Sequence, residues 1–238
     1  MPFALLNVKT EHNIEATHHG TPEEDAPPPK HPSFAELMEN NRKWADSQPT
    51  KFFRRLKVQQ PDFLWIGCSD SRIPTNQITG TEAGQIFVHR NVGNLVLNTD
   101  FNLLCVLQYA VNILKVKHVI VCGHYGCGGI HAALSSCDHQ HILNGWLKQI
   151  KSIYFYHKEE LEALENDKQR EHRLTELSVI QQVKNLSYSS TIQRAWQSTN
   201  QVRPHLHGLV YSLSDGSLKE LIHLAPDTVL DPIFQFHL

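Results

Sequence analysis

Two short segments hold the side chains with chemical reach. Cys68-Ser69-Asp70-Ser71-Arg72 and His124-Tyr125-Gly126-Cys127-Gly128-Gly129 each follow an apolar run of the kind buried on both faces of a sheet. α/β folds place their sites at the carboxyl ends of such strands. Cys68, His124 and Cys127 together offer two thiolates and an imidazole. Zinc favours this set, and three protein ligands leave a fourth position open, as catalytic sites require. Taken singly, Cys68 and Cys127 read as small buried hydrophobes. Their position after two strands, beside glycines that let the backbone close in, favours one zinc ion per chain. No Cys-x-x-Cys pair occurs, so a thioredoxin-like reading fails, and the Gly126–Gly129 run lacks the Lys-Ser/Thr of a phosphate loop.

Two thiolates and a neutral imidazole cancel the charge of zinc, so a bound water ionises less readily than on three histidines and needs help. If the chain stays extended past Cys68, then Cys68, Asp70 and Arg72 share one side. Arg72 can then hold Asp70 through a bidentate pair, and Asp70 can accept the proton of zinc-bound hydroxide, leaving an oxygen lone pair aimed at the substrate. Asp70 has a second possible role as fourth metal ligand, closing the site until it swings to Arg72. The alternatives are a structural ion pair and a noncatalytic zinc module with Asp70 as permanent ligand; a purely structural site has no need of the arginine.

The elements that position these residues read as an α/β fold: a mostly parallel central β-sheet of four strands plus an antiparallel edge strand, flanked by helices, with an N-terminal helical arm. Strands are expected at 63–67, 86–88, 118–122 and 206–213, and Asp215-Gly216 turns the chain into the edge strand at 218–224. Asp100 can cap a helix whose stripe runs Leu103, Leu104, Leu107, Val111 and Leu114; another helix starts near Gly126, and 141–198 reads as two or three more. Ser33 and Glu36 form a capping box ahead of an amphipathic helix over 33–46. Residues 1–32, with the run Thr21-Pro22-Glu23-Glu24-Asp25-Ala26-Pro27-Pro28-Pro29, read as a disordered tail, and 33–238 as a single domain.

The 238 residues are 40% hydrophobic, enough for a substantial core, and the net charge of -2 excludes the basic excess of a nucleic-acid binder. No apolar run approaches the ~20 residues of a membrane span. The five cysteines are odd in number and irregularly spaced, a poor disulfide framework, and the N-terminus lacks a secretory pattern. The expected location is therefore cytoplasmic.

From about Ser33 to Gly216 the chain closely resembles the β-class carbonic anhydrases, on the two motifs above with His89-Arg90-Asn91-Val92-Gly93-Asn94 in support. The resemblance implies reversible hydration of carbon dioxide to bicarbonate and a proton, with zinc on Cys68, His124 and Cys127 and a catalytic dyad of Asp70 and Arg72. It implies a substrate pocket from Gln59, Phe87, Val92, Tyr109 and the backbone at Gly128, some of it reaching in from a partner subunit. A small, linear, apolar substrate suits such a dry wall beside one polarising donor. Trp65, Arg90 and Tyr211 match the bicarbonate-binding trio of a subgroup inhibited by bicarbonate and low pH. Trp65 lies an odd number of residues before Cys68 and so points to the other side of the strand. Family members form homodimers through their leading helices, and many pair into tetramers. The sequence departs from the family at Glu82-Ala83-Gly84-Gln85, where no chemistry is expected to be lost. His205, His207 and His223 are candidate proton carriers. A rival enzyme reading is hydrolysis of another small cumulated molecule, such as carbon disulfide.

Overall fold

The structure, a computed structural model, describes residues 30–236. The expected tail at 1–32 falls almost wholly outside them. The capping box at Ser33 is formed: Ser33 N donates to the Glu36 carboxylate at 2.7 Å and Glu36 N to Ser33 Oγ at 3.2 Å. Two backbone donors at the start of α1 (Phe34–Ser47) are thereby satisfied. None of the residues of α1 is buried, and Phe34 is 79% exposed. This helix belongs to a unit that ends at Pro49; the residues from Thr50 onward form a second unit.

The second unit is built on five strands in the order β2-β1-β3-β4-β5. They are β1 (Phe63–Cys68), β2 (Ile86–Asn91), β3 (His118–His124), β4 (His205–Tyr211) and β5 (Leu218–Leu224). All neighbours run parallel except β4 and β5, which are antiparallel. The expected α/β fold, with its mostly parallel sheet and antiparallel edge, is therefore present. Leu64 through Cys68 are buried without a gap, as a central strand requires, whereas β4 buries only alternate residues.

The helices are α2 (Thr50–Arg55), α3 (Thr75–Thr79), α4 (Phe101–Gln108), α5 (Gly128–Leu134), α6 (His141–Tyr156), α7 (Lys158–Glu162), α8 (Asp167–Ser187) and α9 (Ser190–Gln197). Asp100 caps α4 as expected, accepting from Leu103 N at 3.2 Å, but the stripe beyond it widens into a π-helical turn at Tyr109–Leu114. The stretch 141–198 holds four helices rather than two or three. Its breaks follow from local caps: Asn166 accepts from Gln169 N to start α8, and Ser189 accepts from Ile192 N to start α9.

One core cluster joins Leu64, Ile66, Val119, Val121 and Leu206 of the sheet to Val179, Val183 and Leu186 of α8 and Ile192 of α9. Truncating the fully buried Leu186 to alanine is expected to cost about 2–5 kcal/mol. A second cluster gathers at the strand ends, where Cys68 and Cys127 pack with Leu95, Ile130, Leu147, Ile150 and Leu174. This apolar setting surrounds the two thiols.

Candidate metal centre

Cys68 is the last residue of β1, His124 the last of β3, and Cys127 caps the start of α5. Parallel pairing of β1 with β3 brings the two strand ends side by side. Gly126, at φ 69°, turns the chain back so that Cys127 follows His124 into the same site; a side chain there would be strained. The Sγ atoms of Cys68 and Cys127 lie 3.8 Å apart, and the donor atoms of all three residues lie within 4.8 Å of one another. Among the described residues no other three such donors converge.

The imidazole is set for metal ligation. His124 Nδ1 lies 3.1 Å from the carbonyl of Tyr125. A carbonyl only accepts, so Nδ1 carries the proton and Nε2 keeps its lone pair. That Nε2 is buried without a hydrogen-bond partner, in a residue only 1% exposed. A buried orphan acceptor facing two thiols is costly unless a cation occupies the site. The hydrogen bond between the sulfurs holds the Cys68 thiol well below the usual range, while the same contact and burial push Cys127 up. A soft or borderline cation deprotonates both. The residues present therefore fit a zinc ion.

Asp70 and Arg72 are paired, but not by strand alternation. The chain leaves β1 at Cys68 and turns, so the extended geometry expected through Arg72 does not persist. Instead Arg72 N donates to Asp70 Oδ1 at 2.9 Å, a local turn that delivers the guanidinium to its own partner. Arg72 Nε and a terminal nitrogen then donate to Asp70 Oδ1 and Oδ2 at 3.0 and 2.6 Å. A further bond from Arg72 to the Gly126 carbonyl, at 3.1 Å, ties the dyad to the second ligand loop. The hydrogen bonds from Arg72 hold the Asp70 carboxyl down at about 2. Its Oδ2 stands 3.7 Å from His124 Nε2. Asp70 thus faces Arg72 beside the ligand set rather than joining it.

Trp65, Arg90 and Tyr211 project from one face of the sheet, the face opposite Leu64 and Ile66, by the register of β1, β2, β3 and β4. Trp65 is 1% exposed, and its indole covers Gly67, where a Cβ would meet Nε1 at 2.5 Å. Arg90 does not stand free for an anion: its Nε donates to the Cys68 carbonyl and a terminal nitrogen to the Asp70 carbonyl. Tyr211 lies opposite His124 in the β3–β4 pairing, and its carbonyl accepts from Tyr125 N at 3.1 Å.

The residues expected to form the substrate pocket are divided. Val92 and the exposed Gly128 lie close to the ligands, Val92 packing against Gly129 and lining, with Ser69, Asn91 and Trp146, a cavity of about 670 Å³. Phe87 and Tyr109 instead pack on one another, ring centroids 5.8 Å apart, and Phe87 lies on the core cluster that excludes Cys68. Gln59 is exposed between α2 and β1. His205 starts at the other end of the sheet, about 20 Å along the strands from His124, and His207 and His223 stand about 13 Å from it, so none hands a proton to this site directly.

Sequence reasoning assigned no part to two residues that brace the ligand loop. Tyr125, whose carbonyl orients His124, donates from its hydroxyl to Glu176 at 2.7 Å and stacks on His172 with centroids 4.2 Å apart. Glu176 also accepts from Lys219 and Arg173. Tyr125 sat inside the quoted motif; Glu176 carries no local signal.

The family model for carbonic anhydrase matches residues 63–218. A carbonic anhydrase of Emericella nidulans is 44% identical over 189 residues, covering 78% of this chain and 82% of that one. One from Candida albicans is 34% identical, covering 86% and 73%. Among solved structures, a tetrameric β-carbonic anhydrase of Sordaria macrospora aligns with TM-score 0.75 at 38% identity, over 81% of this chain and 98% of that one. The Coccomyxa β-carbonic anhydrase bound to acetazolamide aligns with TM-score 0.76 at 36% identity, over 81% and 88%. With two thiols, an orphan imidazole nitrogen and an arginine-held carboxylate at one sheet end, this chain belongs to the β-class carbonic anhydrases.

Proposed function

We propose that the chain carries out zinc-dependent, reversible hydration of carbon dioxide to bicarbonate and a proton. The observation that carries this reading is the buried, unpartnered Nε2 of His124, converging with Cys68 and Cys127 beside an Asp70 already engaged by Arg72. Zinc, when bound by these three residues, supplies Lewis acidity that makes water a nucleophile near neutral pH. Asp70 supplies orientation. With its pKa near 2 it stays ionised and accepts only, so it cannot store a proton at neutral pH. It holds the proton of the attacking oxygen and leaves a lone pair for the substrate carbon. Arg72 keeps Asp70 in that position and out of the metal shell.

Bicarbonate and low pH are proposed to inhibit by drawing Asp70 away from Arg72. Arg90 supports this reading, since it clamps the carbonyls of both Cys68 and Asp70. An anion that engages Arg90 loosens the Asp70 segment. Self-association is proposed as well. The exposed apolar residues Phe34, Leu37 and Met38 of α1 suit a second copy of the chain, and a Sordaria macrospora relative is tetrameric. In such an assembly Phe87 and Tyr109, remote from the ligands of their own chain, can face the partner's site. Stopped-flow carbon dioxide hydration on metal-replete protein, run against carbon disulfide, tests the assignment. Turnover of carbon disulfide alone would overturn it.

A further inference from the structure

Four histidines on β3, β4 and β5 play no part in the site above. His118 pairs with His205 across β3 and β4, and His207 with His223 across β4 and β5. Alternation puts all four on the sheet face opposite Val119 and Leu206, at the end remote from the metal centre. Their rings gather closely, with centroids 5.2 Å apart for His118 and His207, and 4.7 Å for His207 and His223. His118 Nδ1 stands 3.1 Å from His207 Nε2, and His205 Nδ1 stands 2.9 Å from His223 Nε2.

Glu220 distinguishes the first pair. Its Oε1 lies 2.8 Å from His207 Nδ1. An ionised carboxylate only accepts, so Nδ1 carries the proton and His207 Nε2 aims its lone pair at His118. A carboxylate on the far nitrogen of an imidazole is the arrangement that orients metal-binding histidines. At metal–nitrogen distances of about 2.0–2.1 Å, two imidazole nitrogens on one ion lie roughly 3.4 Å apart. The observed 3.1 Å is close to that edge.

We propose that His118 Nδ1 and His207 Nε2 form a second divalent-cation site, selective for borderline metals such as Zn²⁺ and Ni²⁺, with Glu220 as the orienting carboxylate. Binding moves the ring proton of neutral His118 from Nδ1 to Nε2, so no proton need be lost. Water completes the shell. Asp62 and Asp227 add negative charge at the rim, and Lys117, paired with Asp62 at 2.9 Å, offsets part of it. Burial first, and then the neighbouring imidazoles, lower the pKa of His118 and favour its neutral, ligating form. Two protein ligands bind more weakly than three, so this site fills only after the Cys68–His124–Cys127 group and empties first.

The test is equilibrium dialysis of the full-length, zinc-loaded protein against Ni²⁺, with metal counted per chain. One Ni²⁺ beyond the zinc is expected. It should disappear in His207→Ala, weaken about tenfold or more in Glu220→Gln, and persist in Cys68→Ser. Absence of extra Ni²⁺ in the wild type overturns the proposal. So does uptake unchanged in His207→Ala, which would place the metal elsewhere, and so does an affinity unchanged in Glu220→Gln. If His207→Ala does not fold, His118→Gln takes its place with the same expectation.

Discussion

Arg90 Nε donates to the carbonyl of Cys68 at 2.8 Å, tying the arginine expected to hold bicarbonate to the backbone of a metal ligand. The same guanidinium holds the carbonyl of Asp70. Anion binding and dyad geometry would draw on one group under the proposed bicarbonate regulation. Under the proposed regulation, Trp65→Phe and Tyr211→Phe remove donors from the anion while leaving both carbonyl contacts in place. Both variants should show weaker bicarbonate inhibition with turnover at high pH nearly unchanged. Initial hydration rates against added bicarbonate, at fixed ionic strength, check this; three coincident inhibition curves would exclude the pocket.

Loss of a ligand should remove metal and activity together. Cys68→Ser and His124→Ala each leave two donors of the three that converge. Metal analysis after dialysis should find less than a tenth of an equivalent in this site, about the effect of losing one ligand of three. A full equivalent retained there in either variant would refute the ligand set.

Asp70→Asn should keep the metal and lose activity by roughly 100-fold or more, the scale of a lost acid–base or positioning group. Asn cannot form the ion pair with Arg72 that now spans 2.6 Å. Arg72→Lys should fall between the two, because an ammonium cannot reproduce the two-point hold. Turnover of Asp70→Asn close to wild type would show that Asp70 does not orient the reacting oxygen.

Stability should decline as pH falls through the histidine range. Burial, and then the neighbouring imidazoles, lower the pKa of His118 and His205 in the folded chain. Below 6.5 the unfolded chain then binds more protons than the folded one, so stability is full above that pH and is lost as pH drops toward the folded values. Thermal melts from pH 7.5 to 5.5 should show this slope, shallower in His118→Asn. An identical slope in the variant would assign the loss to other groups.

Removing residues 1–32 should leave metal content and activity intact, since α1 starts only at Phe34. Removing residues through Ser47 should shift sedimentation toward smaller species, because it deletes the exposed apolar side chains of Phe34, Leu37 and Met38. Monomers already present after the shorter deletion would contradict the role given to α1.

Features that depend on residue type and short-range pattern could be read from the chain directly. Apolar runs ending at Cys68 and near Gly123 marked buried strands because only a sheet covered on both faces tolerates them. Ser33, Asp100 and the ligand motif announced caps and donors through chemistry that acts within four residues. Tertiary structure decided what depends on register and turns. Asp70 meets Arg72 through a turn rather than a strand, which no alternation rule anticipates. Arg90 is occupied by carbonyls that become available only where β1 and β2 pair. Glu176 reaches Tyr125 across 51 residues, and the four histidines converge only once β3, β4 and β5 align. Such contacts are set by which strands become neighbours, and that is a property of the whole packed chain.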